Sequence, residues 1–477
     1  MRRFEHSLRL LALLHHNAML PNLRSLPLAL VGAIAVLLTR RRLHPVRLRP
    51  TGETTPPIGP DDVRPGIRRL VISDLHMGAG DRLDDFTADS ELAALLHHYA
   101  ADPTPTELIL AGDTFEFLQV RLPDVPDLEW SPRAAARRLE AILRAHPEPT
   151  AALRVFLAQP DNQVTVIIGN HDFELHYASA KQTLRRTLGV GPDDPRLRFG
   201  IYYEGDGIFL VHGNQYDRWN RFVHFGGICE PFEVVLGTRL IREAINLLED
   251  EPVDVATLID NIKPLSAIFW YALSLPTLRN QATRRLAARG LVLLISVLLR
   301  HTTYVLDADP RQQTRRSLWK PMYRQVALAA TLLGRAAGVR QQFSLFSGAV
   351  FQREAERQMR RSVRVFGNTS VRSVARIARD PRYRSISLFI CGHTHLAQIV
   401  ALNERQVYIN TGTWTDVIVD VAASQRQRQR FPYLEVTYPA PGSPPNWRLL
   451  VWRGAGHPPS PWRDERAPML EKVECPV

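Results

Sequence analysis

Cysteine is scarce in this chain of 477 residues, which contains only Cys229, Cys391 and Cys475. Three cysteines without a regular spacing do not build the disulfide framework of a small secreted domain, and they are typical of a reducing compartment. We therefore expect a protein that lies in the cytoplasm or faces it. A chain of this length can bury a large hydrophobic core and can contain more than one folding unit.

Lysine is also scarce, so arginine carries almost all of the net charge of +12; the lysines are Lys181, Lys263, Lys320 and Lys472. A basic surface favours anionic partners such as phosphates, nucleic acid or acidic lipid headgroups. Basic clusters with interleaved aromatic residues, which are typical of nucleic-acid binding, do not stand out beside the motifs described below. The sequence therefore favours phosphates and an acidic membrane surface over nucleic acid as anionic partners.

The charge-free run at residues 26–38, LPLALVGAIAVLL, is shorter than a membrane-spanning helix. Arg40, Arg41 and Arg42 follow it, where a signal peptide would have its cleavage site. The run is either a helix at a membrane interface or a helix packed on the main domain. If it contacts a membrane, the arginines favour the cytoplasmic side for the rest of the chain, which would then be peripheral or N-terminally anchored.

The composition changes along the first half of the chain. Residues 51–65 are rich in proline, glycine and aspartate and predict a linker, which ends an N-terminal segment at residues 1–65. Strand-like runs and helical stretches alternate over residues 66–228, which we interpret as the first part of a core domain. The predicted helices in this part include residues 90–100, 131–145 and 179–188.

The second half of the chain has a different pattern. Long stretches of leucine, alanine and arginine over residues 229–369 predict an all-helical insertion, or cap. The strand pattern returns over residues 370–455, which predicts the second part of the core. Residues 456–477 are rich in proline and charge and predict an irregular tail.

Five apolar runs of strand length each end at side chains that can bind a metal ion. They lie in RLVISDLH, LILAGDTFEF, TVIIGNHD, IFLVHG and LFICGHTH. Such runs are typical of central strands buried on both faces, and ligands bind beyond the carboxyl ends of those strands in α/β folds. One junction alone would be only a turn, but turns do not account for five. The donors are Asp74, His76, Asp113, Asn170, His171, His212, His393 and His395.

This donor set indicates a hydrolytic site. Carboxylates, imidazoles and an amide without thiolates suit divalent manganese, iron, zinc or magnesium better than a structural zinc ion. Two ions that lie close together need a shared anionic ligand, and the carboxylate of Asp113 can bridge them where a neutral imidazole cannot. Paired ions of this kind clamp the attacking and the leaving oxygen of a phosphoryl transfer.

The five junctions resemble the signature blocks of the calcineurin-like metallophosphoesterases. The resemblance covers residues 67–213 and 385–452 and rests on Asp74-x-His76, Gly112-Asp113, Gly169-Asn170-His171-Asp172, His212-Gly213 and Gly392-His393-Thr394-His395. It implies an α/β fold in which a double β-sheet sandwich is flanked by helices.

The resemblance also implies two divalent metal ions, manganese above all, with iron or zinc as alternatives. Asp74, His76, Asp113 and His395 would hold one ion. Asp113, Asn170, His212 and His393 would hold the other. His171 would protonate the leaving oxygen, and Glu116 would orient the imidazole of His171.

Within that family, SDLHMG, GDTFEF and the helical insertion are similar to the UDP-2,3-diacylglucosamine hydrolases, which cleave a pyrophosphate bond at a membrane surface. The apolar runs at residues 268–273 and 291–299 would then hold acyl chains, or they are simply the core of the cap. Three departures stand against this assignment: His171 replaces a usual arginine, Asn214 replaces a common acidic residue, and the insertion is longer. The candidate substrate-binding residues are Asn214, Tyr216, Arg218, Arg284 and Arg285.

Two other functions stay open at this stage. One is a soluble nucleotide or cyclic-nucleotide phosphodiesterase on the same fold. The other is a binding protein that keeps the fold without its chemistry, although a complete ligand set together with His171 speaks against it.

Overall fold

The computed structural model describes residues 45–249, 289, 290, 293, 296, 297, 302–306, 368–420, 425–427 and 430–463. All of these residues belong to one compact unit. The predicted apolar segments at residues 26–38 and 268–273 lie outside the described ranges, as do most of residues 291–299. Within those ranges, no helix combines the length and the apolar character that crossing a bilayer requires.

A seven-stranded sheet forms the larger layer, in the order β17–β16–β15–β2–β3–β4–β5. Strands β2 to β5 are parallel to one another, whereas β15 is antiparallel to β2. The strands are β2 (Arg68–Ile72), β3 (Thr106–Ala111), β4 (Gln163–Ile167), β5 (Leu197–Gly200), β15 (Phe431–Thr437), β16 (Asn446–Trp452) and β17 (Ser460–Pro461).

A five-stranded sheet forms the second layer, in the order β11–β12–β10–β7–β6. Strand β10 is parallel to both of its neighbours, β7 and β12. The strands are β6 (Tyr203–Gly205), β7 (Ile208–Leu210), β10 (Leu388–Cys391), β11 (Gln398–Ala401) and β12 (Val407–Asn410).

Each apolar run of a central strand contributes side chains to two hydrophobic clusters, one on each face of the sheet. Leu70 and Ile72 of β2 belong to the cluster on the helical side of the large sheet. Val71, between them, belongs to the cluster that joins the two sheets, together with Leu210 and Ile390. Because side chains alternate between the faces of a strand, a strand covered on both faces needs apolar residues at every position. This explains why the runs show no polar alternation.

Helices cover both outer faces of the sandwich. The large sheet packs against α1 (Asp89–Ala100), α2 (Pro132–Ala145), α3 (Pro147–Ala158) and α4 (Ala178–Leu188). Residues 368–378 are helical and pack against the small sheet through Val374 and Ala378. The Ser131 side chain caps α2 by accepting a hydrogen bond from the Ala134 N–H at 3.1 Å. The three predicted helices are therefore present, and the double sandwich flanked by helices is confirmed.

The linker prediction for residues 51–65 is wrong at residues 51–54. They belong to β1 (Val46–Thr54), which pairs with β8 (Gly227–Glu230) and β9 (Tyr304–Leu306) in the order β8–β1–β9. The register of the β1–β8 pair shifts between Pro50 and Thr54. Such an irregularity accommodates Pro50 and Gly52 within a strand, and these residue types had suggested a loop.

Short strands also correct two other boundaries. Strand β9 lies inside residues 229–369, so the insertion is not helical throughout. Strand β17 pairs with β16, so the predicted tail is not irregular at residues 460 and 461. A two-stranded sheet of β13 (Val417–Asp420) and β14 (Gln425–Gln427) completes the described strands.

The loop that follows His76 is anchored to α2 by a buried imidazole. Asp84 accepts hydrogen bonds from the backbone N–H groups of Gly78 and Gly80 at 3.0 and 2.8 Å. His146, at the end of α2, contacts Asp84 through Nε2 at 2.9 Å and Asp89 through Nδ1 at 2.8 Å. Burial alone lowers the pKa of His146, but the two carboxylates outweigh burial and the pKa is raised. The histidine therefore stabilises the fold in its charged form.

This pKa shift predicts a pH-dependent stability. Protonated His146 stabilises the folded protein fully below the usual histidine pKa of about 6.5, and the contribution disappears as the pH rises through the raised value. The difference in unfolding free energy between wild type and His146→Gln should therefore be larger at low pH, by about 1.4 kcal/mol for each unit of pKa shift. Urea unfolding of both proteins across this range measures it. A difference independent of pH would contradict the charged role.

Candidate metal centre

The strand ends bring the predicted ligands to one edge of the sandwich. Parallel strands place their carboxyl ends at the same edge of a sheet, and the donors follow β2, β3 and β4 in the large sheet and β7 and β10 in the small one. Every predicted ligand is buried, with at most 5% of its surface exposed. These residues are Asp74, His76, Asp113, Asn170, His212, His393 and His395.

The backbone is strained at most of these positions. Asp74, His76, Asp113, His393 and His395 have φ values of 54°, 51°, 51°, 69° and 59°. This left-handed conformation costs residues other than glycine about 1–3 kcal/mol. Hydrogen bonds hold it, since the His76 N–H donates to the Asp113 carbonyl at 2.9 Å and the His393 N–H donates to Asp74 Oδ1 at 3.0 Å. The strained backbone therefore lowers the stability of the fold, and in return it directs these side chains toward one point.

Glycines beside the ligands leave room for their carboxylates. A Cβ atom on Gly169 would lie 2.2 Å from Asp113 Oδ1, and one on Gly392 would lie 2.3 Å from Asp74 Oδ2. Both distances are too short for any side chain. The glycines of the GNHD and GHTH blocks are thus required by the close approach of the two carboxylates.

Asp74, His76 and His395 form the first cluster of donors. The Nε2 atoms of the two histidines are 3.0 Å apart, and His395 Nε2 is 3.3 Å from Asp74 Oδ1. Burial raises the pKa of Asp74, but the hydrogen bond and charge of His395 outweigh it and lower the pKa to about 2. The carboxylate is therefore anionic at neutral pH.

Asp113, His212 and His393 form the second cluster. His212 Nε2 is 2.9 Å from Asp113 Oδ2, and its Nδ1 is 3.0 Å from the Ala111 carbonyl. Because a carbonyl only accepts, Nδ1 carries a hydrogen. Burial lowers the pKa of His212, but Asp113 outweighs it and raises the pKa to about 9. The negative charge of the carboxylates around His212 therefore stabilises positive charge at this point. The same charge would stabilise a bound divalent cation.

Asp113 lies between the two clusters. Its Oδ2 atom is 2.9 Å from His212 Nε2 and 3.9 Å from His76 Nε2, so one carboxylate oxygen reaches both donor sets. Burial raises the pKa of Asp113, but the charges of His212 and His171 lower it well below its usual value. This is the arrangement that a bridging anionic ligand requires.

Asn170 provides the test of whether these residues fit a metal ion. Its side-chain oxygen Oδ1 is buried and has no hydrogen-bond partner within the described residues. The next residue, His171, donates its backbone N–H to Asp113 Oδ1 at 2.8 Å, so Asn170 is adjacent to the bridging carboxylate. A buried carbonyl oxygen without a partner is costly unless it binds a cation. The donor set therefore fits a divalent metal.

Glu116 joins two imidazoles. Its Oε2 atom is 2.7 Å from His76 Nδ1 and also contacts His171 Nδ1 directly. Burial raises the pKa of Glu116, but His171 and His76 outweigh it and lower the pKa to about 2. Since an ionised carboxylate only accepts hydrogen bonds, both Nδ1 atoms carry hydrogens and both Nε2 atoms are available elsewhere. The resemblance implied that Glu116 orients His171; the contact of Glu116 with His76 was not predicted.

Residues 67–274 match the calcineurin-like phosphoesterase family. The matched range contains the first four donor blocks, whereas His393 and His395 lie beyond it. Among solved structures, the chain is similar to a dimetal phosphatase from Danio rerio, with 12% sequence identity, coverage of 81% of this chain and 96% of that chain, and a TM-score of 0.29. Curated proteins provide no match to this sequence.

One carboxylate near the donor blocks was missed by sequence reasoning. Asp217 Oδ2 is 3.2 Å from His393 Nε2, and the same oxygen accepts a hydrogen bond from Asn220 at 2.7 Å. The bond to His393 leaves Nδ1 as the nitrogen that can face the second cluster. Asp217 lies in NQYDRWNRF, five residues after His212. An acidic residue so close to a donor block was the sequence signal that could have identified it.

The predicted substrate-binding residues are spread over different environments. Asn214 is fully buried and donates to the Asn220 carbonyl at 3.0 Å. Tyr216 packs against the cluster on the outer face of the small sheet, where burial raises its pKa. Arg218 is exposed, and Arg284 and Arg285 lie outside the described residues.

Proposed function

We propose that this chain is a phosphoesterase that uses two divalent metal ions. The observation that carries the proposal is the position of Asp113, whose Oδ2 atom lies 3.9 Å from His76 Nε2 in the first cluster and 2.9 Å from His212 Nε2 in the second. The match of residues 67–274 to the calcineurin-like phosphoesterases supports it. Manganese is the proposed metal, as the resemblance of the five blocks implies, with iron or zinc as alternatives that the oxygen and imidazole donors also suit.

The residues divide into ligands and a proton donor. Asp74, His76, His395 and Asp113 would hold one ion, and Asp113 with Asn170, His212 and His393 would hold the other. When bound, the two ions polarise the phosphoryl group and stabilise the charge on the attacking and leaving oxygens.

His171 is the proposed proton donor to the leaving oxygen. Glu116 accepts the hydrogen of Nδ1 and so orients the imidazole ring. The hydrogen on Nε2 of the protonated ring is the one that can reach a leaving group. The backbone N–H of His171 is fixed by Asp113, so the donor has a set position relative to the proposed ions.

The proposed substrate is a phosphodiester or pyrophosphate, with UDP-2,3-diacylglucosamine at the cytoplasmic face of a membrane as the specific candidate. The SDLHMG and GDTFEF motifs support this choice. A soluble nucleotide or cyclic nucleotide is the alternative.

Hydrolysis assays with the full-length chain test this function. Purified protein loaded with manganese is offered bis(4-nitrophenyl) phosphate, 4-nitrophenyl phosphate, cyclic nucleotides and UDP-diacylglucosamine in detergent or vesicles. We expect cleavage of the diester and of the pyrophosphate, with the lipid-linked compound preferred. Turnover of cyclic nucleotides without turnover of the lipid would support the soluble alternative. Binding of metal without hydrolysis of any phosphate ester would refute the enzyme assignment.

Asp217 should control the second metal position. In Asp217→Asn the carboxylate that polarises His393 is lost, and metal affinity should fall by about 10–100-fold, the usual effect of removing such a partner. Metal titration followed by calorimetry measures it. Asn220→Ala is the control, since it removes the other contact of the same oxygen and leaves His393 its carboxylate. Equal losses in both variants would reduce Asp217 to a loop-shaping role.

A further inference from the structure

A buried arginine connects the segment of Glu116 with the segment of His171. Arg242 lies in a π-helical turn, Ile241–Ile245, which follows helix α5 (Leu236–Leu240). Only 5% of its surface is exposed. Turns of this kind are rare and frequently occur at functional sites. None of the five blocks contains Arg242, and sequence reasoning did not single it out.

The guanidinium of Arg242 contacts both segments. Its Nη2 atom donates to the Phe117 carbonyl at 2.7 Å, directly after Glu116 in the chain. The same Nη2 is 3.9 Å from Glu174 Oε2, three residues after His171. Nη1 lies 3.4 Å from the Val120 carbonyl. One side chain therefore spans the two loops that carry the Glu116–His171 pair.

Neighbouring contacts make this connection rigid. Arg138 donates to Glu174 Oε1 at 2.6 Å, so the glutamate lies between two guanidinium groups. The guanidiniums of Arg138 and Arg242 lie 5.7 and 5.1 Å from the centre of the Trp130 ring. Burial, and then the charge of Arg138, lower the pKa of Arg242 to about 10, so it remains charged at neutral pH.

A second side chain from the same helical segment holds the Glu116 loop. Asn246, in helix α6 (Asn246–Glu249), donates to the Leu118 carbonyl at 3.0 Å. The Leu118 N–H in turn donates to Glu116 Oε1 at 3.0 Å, which orients the carboxylate. Arg242 and Asn246 thus bind the backbone carbonyls of residues 117 and 118. The backbone N–H of Leu118 in turn binds the Glu116 carboxylate.

We propose that Arg242 is a positioning residue for the Glu116–His171 pair. By fixing the Phe117 carbonyl and Glu174 together, it sets the separation of the carboxylate and the imidazole, and so the direction of the His171 Nε2 atom. The inference rests on the proposed role of His171 in phosphoester cleavage. The hydrogen bonds of Arg242 go to backbone carbonyls of the Glu116 loop and not to candidate ligands. Because Glu116 also contacts His76 Nδ1, its displacement reaches the first donor cluster as well, and the leaving-group dependence of the rate isolates the effect on proton donation.

Kinetics of Arg242→Lys and Arg242→Met test the inference. At saturating manganese we expect full metal occupancy and a kcat about tenfold lower, which is part of the 10²–10⁴-fold that a general acid contributes. The loss should be larger on an alkyl phosphodiester than on bis(4-nitrophenyl) phosphate, whose leaving group needs little protonation. Arg242→Lys keeps the positive charge, so its kcat should be higher than that of Arg242→Met and lower than that of the wild type. Arg239→Ala is the matched control, because Arg239 pairs with Glu243 on the same helical segment at 2.9 Å.

A double variant separates positioning from general destabilisation. Residues that act as one unit have non-additive effects, so Arg242→Met should lower the rate little further in a His171→Ala background. Fully additive losses, or equal losses on both leaving groups, would overturn the inference.

The NMR resonance of the His171 Nδ1 proton, which lies in the hydrogen bond to Glu116, provides a readout that does not depend on turnover. It should shift in both Arg242 variants and stay in place in Arg239→Ala. An unchanged resonance would overturn the positioning role whatever the kinetics. A shifted resonance in a protein that hydrolyses no phosphate ester would support positioning and refute the proposed function.

Discussion

Asp113→Asn is expected to abolish phosphoesterase activity and to remove at least one of two metal ions from each chain. One oxygen of Asp113 lies 2.9 Å from His212 Nε2 and 3.9 Å from His76 Nε2, so it is the shared group of both donor sets. Although burial raises the pKa of Asp113, the charges of His212 and His171 hold it well below its usual value, which favours the anionic carboxylate. An amide keeps the shape and loses the charge that offsets the repulsion between two cations.

Metal analysis after dialysis, together with turnover of bis(4-nitrophenyl) phosphate, measures this result. Asp124→Asn is the matched control, because Asp124 is an exposed carboxylate paired with Arg137. The control should keep both ions and full activity. Two ions and intact turnover in Asp113→Asn would exclude the bridging role.

His171→Ala should have the next largest effect, with a different signature. The metal content should stay at two ions, because the backbone N–H to Asp113 is retained and every proposed ligand is present. The rate should fall by about 10²–10⁴-fold, the usual contribution of a general acid. The fall should be smaller for nitrophenyl than for alkyl esters, since a good leaving group departs without a proton.

Initial rates on paired esters that differ only in the leaving group measure this prediction. His97→Ala, which removes an exposed histidine on α1, controls for nonspecific loss of an imidazole. The same proportional loss on good and poor leaving groups would remove His171 from proton donation. Loss of metal would assign it a ligand role instead.

The local pattern of the chain was sufficient for the central strands and for most of the donor set. A central strand covered on both faces must be apolar throughout, and its end must supply the polar groups, so LILAGDTFEF shows both features within ten residues. The predicted helices were found for a similar reason, as at Ser131, where cap and proline lie together in sequence. The segment at residues 51–54 was misread, because the pairing of β1 with β8 involves residues 177 positions away.

The amino-acid sequence by itself determined the donor chemistry and the order of the blocks, because these depend on residue type and short-range spacing. The class of fold followed from the resemblance of those blocks to a known family. Tertiary structure decided that Asp113 lies between two donor sets, that Glu116 serves His76 as well as His171, and that Asp217 faces His393. It also decided that Arg242 reaches the Phe117 carbonyl from 125 residues away. Such contacts depend on how sheets and helices pack, and a side chain whose partner is distant in sequence leaves no local pattern to predict it.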